Sequence, residues 1–266
     1  MNSKKPTAAL YFFVLSLIAT QTLAFDDSAV NQLTETDECI ECDLTSANLR
    51  SENLKYVNLT GSNLSKASLK NAFLSGADLT NTNLSEADMM GAELKTATLE
   101  GAILNKANMP HVSIQAATMT SAKLIGTDLS YSDLTLSNLE NADLTGADLS
   151  GSNLGGVTLS GANLTSAKLN DTDLNTTMLI GANLKGANLE SAQMLNTDLT
   201  RADLTGANMS FATLEGVILD GAILDGVNMF GADLSKQELS SNLEELKGVK
   251  ICMAMMPDQS RTRRDC

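Results

Sequence analysis

Few side chains in this sequence have chemical potential. There are four cysteines, Cys39, Cys42, Cys252 and Cys266, and a single histidine, His111. Cys39-x-x-Cys42 has the spacing of a redox pair or of half a zinc site. A redox pair sits at a helix N-terminus beside a βαβ unit, and zinc needs four ligands together. One histidine excludes multi-histidine metal sites. His111 follows Pro110 with no nucleophile paired to it in sequence, so it is read as a solvated residue. Asn and Asp are abundant and have the chemistry of calcium ligands, but they recur every five residues with no loop to fold round an ion. Asn-x-Ser/Thr triplets such as Asn58-Leu59-Thr60 recur for the same reason. The expectation is no enzyme, no metal site and no cofactor.

Composition narrows the class further. Of 266 residues, 43% are hydrophobic and 3% aromatic, with no Trp. The chain is too apolar for disorder, so its core must be built from Leu, Ala, Met and Val. The net charge of −14 argues against nucleic-acid binding.

Residues 1–24 have the pattern of a secretory signal peptide. Lys4 and Lys5 precede the apolar run 8–20, and Thr22 and Ala24 are the small residues a signal peptidase needs. Cleavage leaves Phe25 first. The alternative is an uncleaved N-terminal anchor, although the run is short for a membrane span. The expected location is the periplasm, the exterior or, in a photosynthetic source, the thylakoid lumen.

From Asp43 onward the sequence repeats every five residues without a slip. Leu44, Leu49, Leu54 and Leu59 open a series of 39 centres that ends at Leu234, and 32 of these are Leu. The others are Met89, Met109, Ile114, Met119, Met194, Met209 and Met229. A small residue stands two before every centre but Leu54, as at Ala47 and Ala67, with Glu52 the exception; mostly Asn or Asp stands between, as at Asn48 and Asp78; Gly is frequent two after, as at Gly61 and Gly76. A period of five fits neither an α-helix nor an alternating strand nor a heptad. It fits a coil with corners, in which the large and the small residue point inward. Asn and Asp satisfy turn backbone locally, and Gly accepts the dihedrals there. Successive turns of such a coil stack and pair backbone to backbone at about 4.8 Å.

Runs such as Ala142-Asp143-Leu144-Thr145-Gly146 and Ala182-Asn183-Leu184-Lys185-Gly186 resemble the pentapeptide repeat family. The resemblance covers residues 42–236. It implies an all-β fold, a right-handed quadrilateral parallel β-helix of about ten coils.

Open ends of such a rod expose unpaired edges, so caps are expected. Residues 25–41 form the N-terminal cap, with a short helix over 27–33 placing Val30 and Leu33 inward. At the other end 237–266 is a C-terminal helix and a cysteine-closed tail. Ser235 and Glu238 make a capping box, Leu239, Leu243 and Leu246 share a helical face over 236–247, and Gly248 ends it. The two cysteine pairs flank opposite ends of the rod, and a disulfide needs Cα atoms within about 7 Å. Intrachain pairing is therefore local, Cys39–Cys42 and Cys252–Cys266, acting as staples; redox, metal and intermolecular roles are the alternatives. The flanks, including Val30, Gln32, Leu33, Thr36, Met256, Pro257 and Asp258, resemble exported pentapeptide repeat proteins of cyanobacteria and the thylakoid lumen. Gln259 departs from that pattern, which has Gly, and the basic run Arg261-Thr262-Arg263-Arg264 is outside it.

Two surface features stand out. Residues 42–125 hold seven acids and seven bases, whereas 126–236 hold fourteen acids and four bases. Apolar residues occupy outward positions at Phe73, Ile103, Ile125, Met178, Ile180, Leu195, Phe211, Ile218, Ile223 and Phe230. Phe211 and Phe230 are diagonal neighbours on adjacent coils and form the candidate partner surface, unless the tail folds over them. The expected function is a non-catalytic rod that binds a protein partner or stiffens an assembly. The alternative is an acidic DNA mimic, the role of some pentapeptide repeat proteins that occupy topoisomerases; the signal peptide stands against it.

Overall fold

A pentapeptide without proline has five backbone N–H groups to place, and in the repeat around Leu64 each has its own destination. Around Leu64, the Asn63 N–H donates to Cys42 O in the preceding coil at 2.8 Å, and the Leu64 and Lys66 N–H groups donate to Asn83 O and Ser85 O in the next, at 2.7 and 2.9 Å. The Ala67 N–H closes a turn on Leu64 O at 3.0 Å. The fifth, from Ser65, goes to the Asn63 side-chain oxygen at 3.2 Å. Asp143 does the same for the Thr145 N–H at 3.1 Å. Asn or Asp before the centre is thus a structural acceptor, which explains its abundance. The third residue of each turn has positive φ, at every fifth position from Glu41 to Gly231, as type II turns require.

The computed structural model describes residues 27–236, 249–256, 258–263 and 266. Parallel bridges join each residue before a centre to its counterpart 20 further on, so four pentapeptides complete one turn. The four faces run from Glu38 to Ile218, from Asp43 to Ile223, from Asn48 to Asn228 and from Asn53 to Asp233; we number them one to four. The centres and the small residues fill the interior, buried throughout the middle of the rod. Where Thr replaces Ala inside, its hydroxyl donates to a backbone carbonyl, as from Thr82 to Leu59 O of the coil below at 2.8 Å, Thr127 to Leu104 O of the coil below at 2.7 Å and Thr172 to Leu169 O of its own coil at 2.6 Å. Among the described residues no buried side-chain polar atom lacks a partner. On the outside, Asn side chains form ladders, as in Asn228 to Asn208 to Asn188, each step 3.0 Å.

The N-terminal end is closed by a helix, α1, Asp27–Thr36, three residues longer than the sequence suggests. Its Ala29 and Leu33 are buried against the first coil. Bridging begins at Glu38, five residues ahead of the first Leu-centred repeat. Cys39 takes the central inward slot and is fully buried; Cys42 takes the next small slot and is partly buried. Their Cα atoms are 5.4 Å apart, with the sulfurs at disulfide distance.

At the C-terminal end the expected cysteine-closed tail rejoins the rod. Val249, Ile251 and Ala254 return to inward slots and are buried. Lys250 bridges Asn228 and Met255 bridges Asp233, so the repeat resumes on faces three and four at an offset of 22 rather than 20. The chain then reverses: Met255 pairs antiparallel with Arg261, and the Met253 and Thr262 N–H groups donate to Thr262 O and Ala254 O at 2.9 and 3.0 Å. Cys252 and Cys266 lie at disulfide distance, with Cα atoms 5.0 Å apart. The expected signal peptide 1–24, the start at Phe25 and the helix over 236–247 lie outside the described residues, apart from Lys236 itself.

Candidate functional site

Phe211 stands at a corner between faces three and four, at φ 60°. Its N–H donates to Phe230 O at 2.9 Å, and the Phe230 N–H donates to Asn228 Oδ1 at 3.1 Å, so the turn hydrogen bonds that build the rod also fix the two rings. The rings meet edge to face, 5.5 Å between centroids. Gly231 makes room for Phe211: a Cβ there would stand 2.8 Å from the ring. The tail forms the next layer beyond them, through Gly231 N–H to Cys252 O at 3.0 Å. It does not cover them: Phe211 is 54% and Phe230 39% exposed.

The acids of the C-terminal half are largely committed to the turns. Asp203 accepts from the Thr205 hydroxyl and N–H at 2.6 and 3.1 Å and pairs with Lys185 at 2.9 Å. The Thr205 hydrogen bond is the main cause holding its pKa below the ordinary value, with burial opposing and Lys185 assisting. Ser235 holds Asp233 down in the same way. At Asp148 burial pushes the pKa up, but Lys168 at 2.8 Å and Ser150 outweigh it, and the carboxylate in turn raises the lysine. Glu215 pairs with Lys236 at 2.8 Å.

His111 is an exposed corner residue at φ 58°, stacked on Tyr131 with 5.5 Å between ring centroids. Among the described residues no group of three or more His, Cys, Asp or Glu is arranged to hold a metal ion, and no helix is long and apolar enough to cross a membrane. Of the outward apolar residues named from sequence, all but Ile103 are well exposed. Sequence reasoning missed Tyr56, Tyr131 and Leu136, which are exposed at positive-φ corners. A signal was present: each is followed 20 residues later by glycine, at Gly76, Gly151 and Gly156, as Phe211 is by Gly231.

The family described as pentapeptide repeats matches this chain in 8 copies that overlap from residues 42–81 to residues 197–235. No protein of curated function matches it in sequence. Among solved structures it is similar to HetL, a pentapeptide repeat protein involved in heterocyst differentiation regulation from the cyanobacterium Nostoc sp. strain PCC 7120. The identity is 26% over 90% of this chain and 100% of that one, with a TM-score of 0.36. Full-length QnrB1, a plasmid-mediated fluoroquinolone resistance protein, is 16% identical over 62% of this chain and 90% of its own, with a TM-score of 0.35. A pentapeptide repeat protein from the thylakoid lumen of Arabidopsis thaliana is 30% identical over 36% of this chain and 63% of its own, with a TM-score of 0.28.

Proposed function

We propose, from the premise that this chain belongs to the pentapeptide repeat family, that it is an exported, non-catalytic rod that binds a protein partner through its C-terminal half. Pentapeptide repeat proteins fold as right-handed quadrilateral β-helices and are generally non-catalytic. The proposed rod has about ten coils and two disulfides, Cys39–Cys42 and Cys252–Cys266, whose sulfurs lie at bonding distance, in keeping with an oxidising compartment.

The observation that carries the reading is the exposed Phe211/Phe230 pair, set in a half of the rod that is rich in acids. Aromatic anchors of this kind dominate protein interfaces, and surrounding acids speed encounter with a basic partner. The interior leaves no room for chemistry, because its slots are filled and its hydroxyls are bonded.

The test is capture from an extract of the exported compartment, with mature protein as bait. Phe211→Ser with Phe230→Ser should leave the melting temperature nearly unchanged and abolish specific capture; unaltered capture overturns the reading. Recovery of a DNA-binding enzyme that also loses activity would favour the acidic DNA mimic instead. N-terminal sequencing of exported protein should start at Phe25, and full-length protein held in the cytosol counts against export.

A further inference from the structure

All five aromatic residues of the described chain, Tyr56, Phe73, Tyr131, Phe211 and Phe230, lie on face four or its two edges. That strip holds five of the twelve outward positions in each coil. Tyr56 is 79% and Tyr131 65% exposed. Like Phe211, both rings lie along the rod over the glycine of the next coil. A Cβ on Gly76 would stand 2.5 Å from Tyr56 and one on Gly151 2.6 Å from Tyr131. The rings are therefore already ordered, which lowers the entropy lost on docking.

The same strip carries a charge gradient along its length. Its N-terminal end bears Arg50, Lys55, Lys70 and Lys95 against Glu52 and Glu93. Its C-terminal end bears Asp171, Asp173, Glu190, Glu215 and Asp233 against Lys236. Lys55 lies over the Phe73 ring at 5.4 Å, and Lys70 pairs with Asp88 of face three at 2.9 Å. Between the ends the strip is close to neutral, with the His111–Tyr131 stack, Leu136 and Asp133.

We propose that face four is the docking surface for a second copy of this chain, laid antiparallel. This deepens the protein-binding reading and rests on it, by naming the partner. A two-fold axis across the face sets each edge against its own counterpart and the first coil opposite the tenth. Lys55 and Lys95 of one copy then bracket Glu215 of the other, Arg50 meets Phe230, and Tyr131 lies near the axis. Parallel pairing would stack base on base and acid on acid. The strip, about 48 Å long and about 16 Å wide, offers roughly 750 Å² per copy, the size of a standard specific interface. An isologous interface needs this self-complementarity, and its aromatic residues are the type that interfaces concentrate.

Sedimentation velocity on the mature chain, 25–266, tests the proposal. The wild type should form a dimer that strengthens with concentration up to about 100 μM and weakens with added salt. Lys55→Glu with Lys95→Glu should weaken self-association at least about tenfold, and so should Glu190→Lys with Glu215→Lys. Mixing the two variants should restore a dimer, because each reversed end then meets an opposite one. A wild type that stays monomeric, or a mixture no better than its components, overturns antiparallel self-docking. The protein-binding reading fails separately, if the Phe211→Ser/Phe230→Ser protein captures a partner as well as the wild type.

Discussion

At the N-terminal end α1 lies across the tube, Ala29 and Leu33 cover the first coil, and Leu44 and Leu49 beneath are fully buried. At the C-terminal end the described residues return to add a layer on faces three and four, and Leu219 and Ala222, inward residues of the last coil, are only partly buried. Both ends face the same difficulty, a row of unpaired backbone groups over an apolar interior. One meets it with a helix and a cysteine in a leucine slot, the other with a resumed repeat and an antiparallel return. The difference teaches that the period of five is obligatory only inside the stack. At an end, two additional residues are tolerated because nothing beyond them has to keep register.

The largest contrast should be between the middle and the loose end. Leu134→Ala should cost about 2–5 kcal/mol, because no neighbouring slot can collapse into the void. Leu219→Ala should cost less than about 1.5 kcal/mol, because that side chain is already part-exposed. Denaturant unfolding measures both, and equal losses would erase the distinction between the ends.

Next in size, Cys252→Ser with Cys266→Ser should remove up to about 3 kcal/mol of local stability if the proposed disulfide forms, since it would close a 14-residue separation. Amide exchange should rise over 249–262 and stay unchanged in the middle of the rod. The proposed Cys39–Cys42 disulfide spans only three residues, so Cys39→Ser with Cys42→Ser should act mainly through the buried Cys39 slot, with faster exchange confined to α1 and the first coil.

A smaller effect sharpens the comparison between corners. Gly151→Ala should cost about 1–2 kcal/mol, combining positive φ with the Tyr131 ring, whereas Gly146→Ala, with open space around it, should cost about 1 kcal/mol or less. Tyr131→Ala should recover the difference, which a double-mutant cycle reads directly.

The smallest is a pH effect. Asp133, Asp148, Asp203 and Asp233 have lowered values in the C-terminal half, where the N-terminal half has Asp88. The unfolded chain binds protons first as pH falls past about 3.9, while the folded carboxylates stay charged until their lower values are reached. Their stabilisation is therefore complete above that pH and lost below it. Amide protection at pH 3 should fall first beyond residue 126.

Much of this was legible in sequence, since the inward centres, the small slots, the turn-forming Asn and Asp and the glycine corners all follow from the period. Two parts were not. Cys39 fills a centre slot without being a leucine, so the pattern began one side late. Residues 249–256 belong to the repeat but sit two places out of phase, so counting by five could not include them. For the candidate site, the period marks Phe211 and Phe230 as outward residues, but it does not show that Tyr56 and Tyr131 share their strip, because that depends on each ring resting on the glycine of the next coil.

Because each coil is bonded only to the coils immediately before and after it, the rod has the mechanics of a zipper. Pulled from its two ends, it would not break as a block. It would peel from the looser C-terminal end, shedding 20 residues at a time, and each step would release about 65 Å of chain. The middle would stay intact until its own turn came, so the rod can lose a coil under load and regain it without the rest unfolding.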